Sequence, residues 1–320
     1  MTFRALFRSL LLIAAFTVSS YSWSTPGHMA VAYVAYQNLK PDVRARVDAL
    51  VAMNPKFVAW KAQIPAGTSD ANAKMMLFMV AATWPDQIKS DGHVSDGPDG
   101  GNTPPAGPAA SQNTGYSDMA MHKYWHFIDE PFSVDGTKLI RPNTPNAQTE
   151  IKLFRAALAS DESDALKSYD LVWLLHIVGD IHQPLHATSR FSKTLPKGDN
   201  GANDVKVCNK KCVDDELHGF WDGIFGTTAN QKKALSLAIA AGKGLTAAPS
   251  AAANNLDESA WVNESFTLAK SKVYMNPPIQ NGAGPFQITD QYRSMAVTVA
   301  SGRVALAGAR LANILNKELR

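Results

Sequence analysis

The chain has two cysteines, Cys208 and Cys212, which excludes a disulfide-dense scaffold and a zinc-ribbon array. Charge is scarce as well. Charged residues make up 18% of the chain, and 31 basic against 28 acidic side chains leave a net +3. That excludes a lysine coat that holds duplex DNA through its phosphates alone. Beyond residue 22 no stretch reaches the roughly 18 uninterrupted apolar residues of a membrane-spanning helix. Strand signals are few and short, and no internal repeat is visible. Disorder on a large scale is excluded too, since 45% of the residues are hydrophobic. A chain of 320 residues can bury a sizeable core. What is there, and is informative, is the placement of eight histidines.

The first 22 residues, MTFRALFRSLLLIAAFTVSSYS, read as a secretory signal peptide. Arg4 and Arg8 form a positive start, Leu10 to Val18 is apolar apart from Thr17, and Ser20 and Ser22 are small where a signal peptidase reads. The apolar run is too short to cross about 30 Å of hydrocarbon. Cleavage after Ser22 makes Trp23 the mature N-terminus and removes two positive charges, so +3 becomes +1. The expected location is secreted or periplasmic, without stable membrane association. In an oxidising compartment Cys208 and Cys212 read as a short-loop disulfide. Two thiolate metal ligands are the competing reading, weakened because no further cysteine completes a sulfur site.

Most of the mature chain has helical periodicity. Apolar residues recur at helical spacing over 28–39, 41–53, 73–84, 148–159, 163–179, 217–225, 231–241, 258–274 and 288–319. Residues 91–118 break the pattern with a stretch rich in Gly, Pro, Ser and Asn, read as a long loop. A second polar loop covers 193–211. Helices recur on both sides of each loop without a linker, so residues 23–320 are expected to form one all-α domain with long loops.

The chemistry concentrates in LLHIVGDIHQPLHATS. His176 and Asp180 are four apart, which puts them on one helix face, one turn from each other, where both can hold one ion. Gly179 leaves room beside them. Pro184 stops the helix, and His186 comes just after it. In ELHGFWDGI, His218 and Asp222 repeat the four-residue spacing. One such pair is weak evidence; two pairs and a third histidine are much stronger. Mixed nitrogen and carboxylate donors suit zinc. Two further pieces precede these: AATWPDQIK, with Asp86 after an apolar helix, and YWHFID, with His126 between aromatics. Taken alone, His126 fits a core histidine as well as a ligand. His182 lies two residues after Asp180 and faces away, so its reading is structural. His93 and His122 carry no assigned role.

The HIVGDIHQPLH, TWPD, HFID and LHGFWD elements together resemble the zinc-dependent single-strand-specific nucleases of fungi, plants and bacteria. That family shares an all-helical fold and a three-zinc site with bacterial zinc phospholipase C. The resemblance rests on motifs from Trp23 to about Asp222 and on pattern alone beyond. His28, five residues after Trp23, fits the family's start. The resemblance implies that Asp86, His126, His176 and Asp180 hold one zinc. It implies that Asp180 bridges to a second, held also by His28 and by the amine and carbonyl of Trp23. It assigns a third zinc to His186, His218 and Asp222. An acylated Trp23 nitrogen has no lone pair to give, so this ligand set requires cleavage before Trp23.

The activity that the resemblance implies is a phosphodiesterase acting on single-stranded DNA and RNA to leave 5′-phosphorylated products, and also a 3′-nucleotidase. Water between two cations bridged by Asp180 is acidified enough to attack phosphorus near neutral pH. By the same resemblance Lys89 stabilises charge on the phosphate in the transition state. Phe127 stacks on a base and Asp129 accepts hydrogen bonds from its edge. Stacking is worth about 1–3 kcal/mol per base and demands an unstacked strand. Asn203, in NGANDVKV, matches a glycine-rich loop ending in Asn, with a supporting or substrate-loop role. No obligate protein partner is indicated.

The chain departs from the family in two places. Asp86 and His126 are 40 positions apart, farther than expected, and 91–118 looks like the insertion, placed over the cleft where it can alter substrate choice. Ala202 stands where the family loop has its second glycine. The alternatives are a zinc phospholipase C, disfavoured by Asp222 and the short step to His186, and a non-enzymatic zinc-binding protein. Asn263-Glu264-Ser265 is a glycosylation sequon.

Overall fold

Prolines mark where the chain first becomes helical. Pro26 lies in the first turn of α1 (Thr25–Gln37), and Pro41 is the first residue of α2 (Pro41–Ala52), positions where the missing N–H has no intrahelical partner to lose. The computed structural model describes residues 23–208, 215–274 and 278–319. The expected signal peptide and Cys212 therefore lie outside the described residues, while Cys208 is buried at the end of a short strand. The other main helices are α3 (Asp70–Ala81), α4 (Ala147–Ala159), α5 (Asp164–His182), α6 (Leu217–Asp222), α7 (Gln231–Gly244), α8 (Glu258–Leu268) and α9 (Asp290–Glu318).

Helix α5 is the axis of the molecule. Ser163 caps it by accepting from Leu166 N, and from Lys167 to His182 every residue is buried. A helix apolar nearly all round must be enclosed. Accordingly α5 packs against α4, α9, α2 and α8, while α1 lies against α9, α7 and α3. Helix α9 is long and apolar enough, by length and composition, to cross a membrane, but over half of that window is buried against the rest of the protein. It is a core helix.

Strands are short and serve as ties, leaving the chain an all-α domain in character. Parallel β1 (Pro131–Ser133) and β2 (Ser189–Phe191) join the segment after His126 to the segment after His186, with Pro131 opposite Ser189. A second sheet has the order β4–β3–β5, from β3 (Lys206–Cys208), β4 (Asp215–Glu216) and β5 (Phe286–Gln287). Strand β3 lies inside the stretch whose polarity predicted only loop.

The 91–118 segment also differs from expectation. Its composition predicts a free loop over the cleft, yet it is docked along the first half of α5. Tyr116 and Ser168 hydroxyls meet at 2.7 Å, and the Asn113 amide donates to Asp170 Oδ1 at 2.8 Å. His176 and Asp180 lie farther along, in the helix's second half. The sequon sits within α8, where the Ser265 hydroxyl is buried and donates to Ile181 O at 2.6 Å.

Candidate metal centre

Eight side chains named from the sequence converge in three groups, the first two sharing His176: His28, His176 and Asp180; Asp86, His126 and His176; and His186, His218 and Asp222. Within each group the candidate donor atoms lie within 4.8 Å of one another. Asp180 joins the first two. Its Oδ1 is 3.3 Å from His28 Nε2, while its Oδ2 is 3.0 Å from His126 Nδ1 and 3.5 Å from His176 Nε2. One carboxylate oxygen faces each side, as a bridging carboxylate requires. Asp86 completes the second group at 3.3 Å from His176 Nε2. Asp86 comes from the helical turn Trp84–Gln87, His126 from the end of the turn Lys123–Trp125, and the others from α5 and α1.

The backbone aims the rings. His176 Nδ1 lies 2.7 Å from Ala82 O, His186 Nδ1 2.9 Å from His126 O, and His218 Nδ1 2.5 Å from Gly201 O. A carbonyl can only accept, so each Nδ1 carries the proton and each Nε2 of a neutral ring is left with its lone pair. In the third group this puts two acceptors, His186 Nε2 and His218 Nε2, 3.1 Å apart. Asp222 Oδ2 stands 3.4 Å from His218 Nε2. Two lone pairs and a buried carboxylate pointing together repel unless a cation lies between them, and this donor set fits a divalent one.

The electrostatics agree. Burial, helped by His176, lowers the His28 pKa to about 3. Burial, helped by His186, lowers His218 to about 3. Both rings stay neutral and able to donate a lone pair. Burial opposes ionisation of Asp180, but His176, His126 and His28 outweigh it and hold the carboxyl well below its ordinary range. Asp86 is lowered for the same reason against the same opposition. Burial works against a charged His176, yet Asp180 and Asp86 lift it to about 9. Asp222 gains no such help from the rings beside it, and burial pushes it well up, with Gln183 pulling the other way.

Gln183 is the residue whose part in the site went unread in the sequence. It is fully buried, its Nε2 donates to Asp222 Oδ1 at 2.8 Å, and its Oε1 accepts from Leu185 N at 2.6 Å. Its place within HQPLH was the available signal.

Trp23 is completely buried, and its indole donates to Gly179 O at 2.9 Å beside His28. A Cβ on Gly179 would stand 3.0 Å from His28 Nδ1, so the glycine is what lets α1 approach α5. Lys89 is exposed on the turn Ile88–Asp91. That turn is tied down by Asp91, which accepts from the Trp84 indole at 2.7 Å and pairs with Lys56 at 2.6 Å. Phe127 is half-buried against the core, and Asp129 is partly buried two residues on. Burial, with Asp199 adding, pushes Asp129 up to about 7. Between them, Ile128 N donates to His186 O at 2.8 Å, so this segment borders the third group.

Asn203 folds back onto its own loop, its amide donating to Asn200 O at 2.7 Å. Its loop supplies Gly201 O to His218. Ala202, buried beside it, has φ +66°, the left-handed region that an alanine adopts at a cost. His182 faces away, as its spacing predicts. Its Nδ1 bonds Val178 O at 2.8 Å, its Nε2 accepts from Arg310 at 2.9 Å, and its carbonyl accepts from Arg303 at 3.0 Å. Glu264 pairs with both arginines, at 2.8 Å and 2.7 Å.

Compared with protein families, residues 23–320 match S1/P1 nuclease. No curated protein matches the chain.

Proposed function

The chain belongs to the S1/P1 nuclease family, a family of metal-dependent phosphoester hydrolases acting on nucleic acids, and on that premise we propose that it hydrolyses single-stranded DNA and RNA to 5′-phosphorylated products, and 3′-nucleotides as well, using three zinc ions. The observation that carries this reading is Asp180, with one oxygen toward His28 and the other toward His126 and His176. Asp86, His126, His176 and Asp180 would hold one ion. His28, Asp180 and the Trp23 amine and carbonyl would hold a second, and His186, His218 and Asp222 a third. Zinc in such sites supplies acidification of a water and neutralisation of phosphoryl charge.

The protein's own groups do the rest. The three carbonyl bonds hold a proton on each Nδ1, so Nε2 is the atom that would face metal, and His176 and Asp222, both raised in pKa, would each give up a proton when the ion is held. Lys89, exposed on a turn fastened by Asp91, reaches toward the phosphate and stabilises charge that develops there. Phe127 stacks on an unpaired base, and Asp129 bonds its edge. Export through residues 1–22 and a Cys208–Cys212 disulfide belong to the same reading; the family match starting at Trp23 supports the first.

The test uses mature protein, stripped with EDTA and restored with zinc, on heat-denatured DNA, RNA, 3′-AMP and phosphatidylcholine. Zinc-dependent cleavage of the nucleic acids and of 3′-AMP is expected. Cleavage of the lipid alone would overturn the substrate assignment in favour of a phospholipase C, and no hydrolysis anywhere would favour a zinc-binding protein. Extra residues before Trp23 should lower the zinc count by one; an equal count and equal activity refute the amine ligand.

A further inference from the structure

The 91–118 segment separates Asp86 from His126, and besides its bonds to α5 it is held by four residues, His122 to Trp125. His122 Nε2 lies 2.6 Å from Asp118 Oδ2, and its Nδ1 lies 3.0 Å from Asp96 Oδ2. Its backbone N–H donates to Asp96 Oδ1 at 3.0 Å. The Lys123 chain lies against Gly101, the Trp125 indole donates to Ala110 O at 3.0 Å, and the Tyr124 hydroxyl, near the same carbonyl, has its shorter acceptor in Asp96 Oδ2 at 2.5 Å. A neutral imidazole has one N–H and one lone pair, so one carboxylate would face the lone pair. The Tyr124 hydroxyl, 2.8 Å from Nδ1, has one proton and gives it to Asp96 Oδ2 at 2.5 Å, so it cannot also serve that lone pair, and only the imidazolium satisfies both carboxylates.

The same residue sets the chain toward the metal centre. His122 has φ +42° and opens the turn Lys123–Trp125, which ends at His126. Trp125 N donates to His122 O at 2.8 Å, and His126 N donates to Lys123 O at 3.1 Å. The His122 and Trp125 rings lie parallel at 3.6 Å; Trp125 meets Trp173 edge-on at 4.9 Å, and Trp173 meets His126 edge-on at 5.5 Å.

We propose that the 91–118 segment is a clasp on the turn that presents His126, closed by the His122 imidazolium between Asp96 and Asp118, and that His122 is thereby a positioning residue for the group containing His126. The second half of this statement rests on reading that group as a metal site; the clasp itself does not. The groups facing His122 are Asp96 and Asp118 from the segment and Tyr124 from its own stretch. From α5 comes Tyr169, whose hydroxyl donates to Asp118 at 3.4 Å, and from α4 the carboxyl of Glu150, whose ionisation His122 favours. Burial disfavours a charged His122, but the two carboxylates outweigh it and raise its pKa. The sign is therefore fixed. Docking is strongest below the ordinary histidine pKa and is lost as pH rises through the raised one.

Hydrogen exchange on zinc-loaded mature protein tests this across pH 6 to 9.5, corrected for the intrinsic rate. The reporters are the Val94 and Met121 amides, which bond Met119 O and Val94 O, each at 2.9 Å, across the mouth of the segment. Their protection should fall at least tenfold with rising pH while α5 stays protected. Asp118→Asn should move the midpoint down by about one pH unit. His122→Gln should abolish the pH dependence and weaken one zinc about tenfold in a chelator titration. Protection that is flat in the wild type, or a midpoint unmoved in Asp118→Asn, overturns the clasp. Unchanged zinc affinity in His122→Gln overturns the positioning role. A protein that binds no zinc yet shows the pH-dependent docking refutes the metal reading and leaves the clasp supported.

Discussion

Replacing Gln183 by Met tests whether the third group is built or merely adjacent. The side chain is fully enclosed and gives its only donor group to Asp222 Oδ1 at 2.8 Å. Burial favours the protonated, non-ligating form of Asp222, and Gln183 opposes that. A hydrogen bond to a charged group is worth about 1.5–3 kcal/mol. At about 1.4 kcal/mol per tenfold that is roughly 10- to 150-fold in zinc affinity, close to the 10- to 100-fold that outer partners of metal ligands usually supply. A competition titration against a chromogenic chelator should show one of three zinc ions weakened by that factor and the other two within about twofold. Gln183→Glu should be worse than Gln183→Met at pH 8, where a second carboxylate faces Asp222, and should recover toward the wild type as pH falls and the new carboxyl can donate. Leu185 N loses its acceptor in the Met variant, so helical content and thermal midpoint are measured alongside. If a folded Gln183→Met protein binds all three ions as tightly as the wild type, the reasoning is wrong.

Neighbouring substitutions in the loop that holds His218 should have opposite signs. Ala202→Gly relieves a left-handed alanine and should stabilise by about 1 kcal/mol in denaturant titration, whereas Gly201→Ala should destabilise by about 1–3 kcal/mol. At Gly201 φ is +58°, and an added Cβ would stand 2.7 Å from Leu185 O. Equal effects of the two would contradict the loop geometry. Asp170 is pushed up to about 8, chiefly by burial, so the folded protein holds its proton between pH 4 and 8 where the unfolded chain has lost it. That contribution is present at acid pH and disappears as pH rises through 8, so Asp170→Asn should gain stability relative to the wild type from pH 5 to pH 9; a constant difference refutes it. Chelation leaves His186 Nε2 and His218 Nε2 facing each other at 3.1 Å, so EDTA should lower the thermal midpoint and zinc should restore it, by about 2.7 kcal/mol at a free concentration 100 times Kd.

Helical spacing made the ligand pairs legible. His176 with Asp180, and His218 with Asp222, are near neighbours on their own helices, so four residues of sequence carry the geometry. The residues from elsewhere were readable only through their motifs: nothing local says that Asp86 and His126, 40 positions apart, meet over α5. The docking of 91–118 was hidden because its partners, Ser168, Asp170 and His122, stand on other elements, and glycine-rich composition reports backbone freedom rather than contact. Gln183 escaped because an amide between two ligand segments has no spacing rule. His182 did follow from spacing, but its two arginines did not.

Those arginines have a consequence for how the sequence can drift. Arg303 and Arg310 are buried, and among the described acids Glu264 alone pairs with both, while His182 takes a bond from each through its carbonyl and its ring. Removing Glu264 strands two buried cations, a loss of several kcal/mol, while removing either arginine leaves Glu264 on the other but takes a bond from His182 and leaves a hole where a buried side chain lay. No single replacement at 182, 264, 303 or 310 is therefore neutral. Among homologous chains these four positions should be kept together or exchanged together, as an inherited set on the far side of the helix that carries His176 and Asp180.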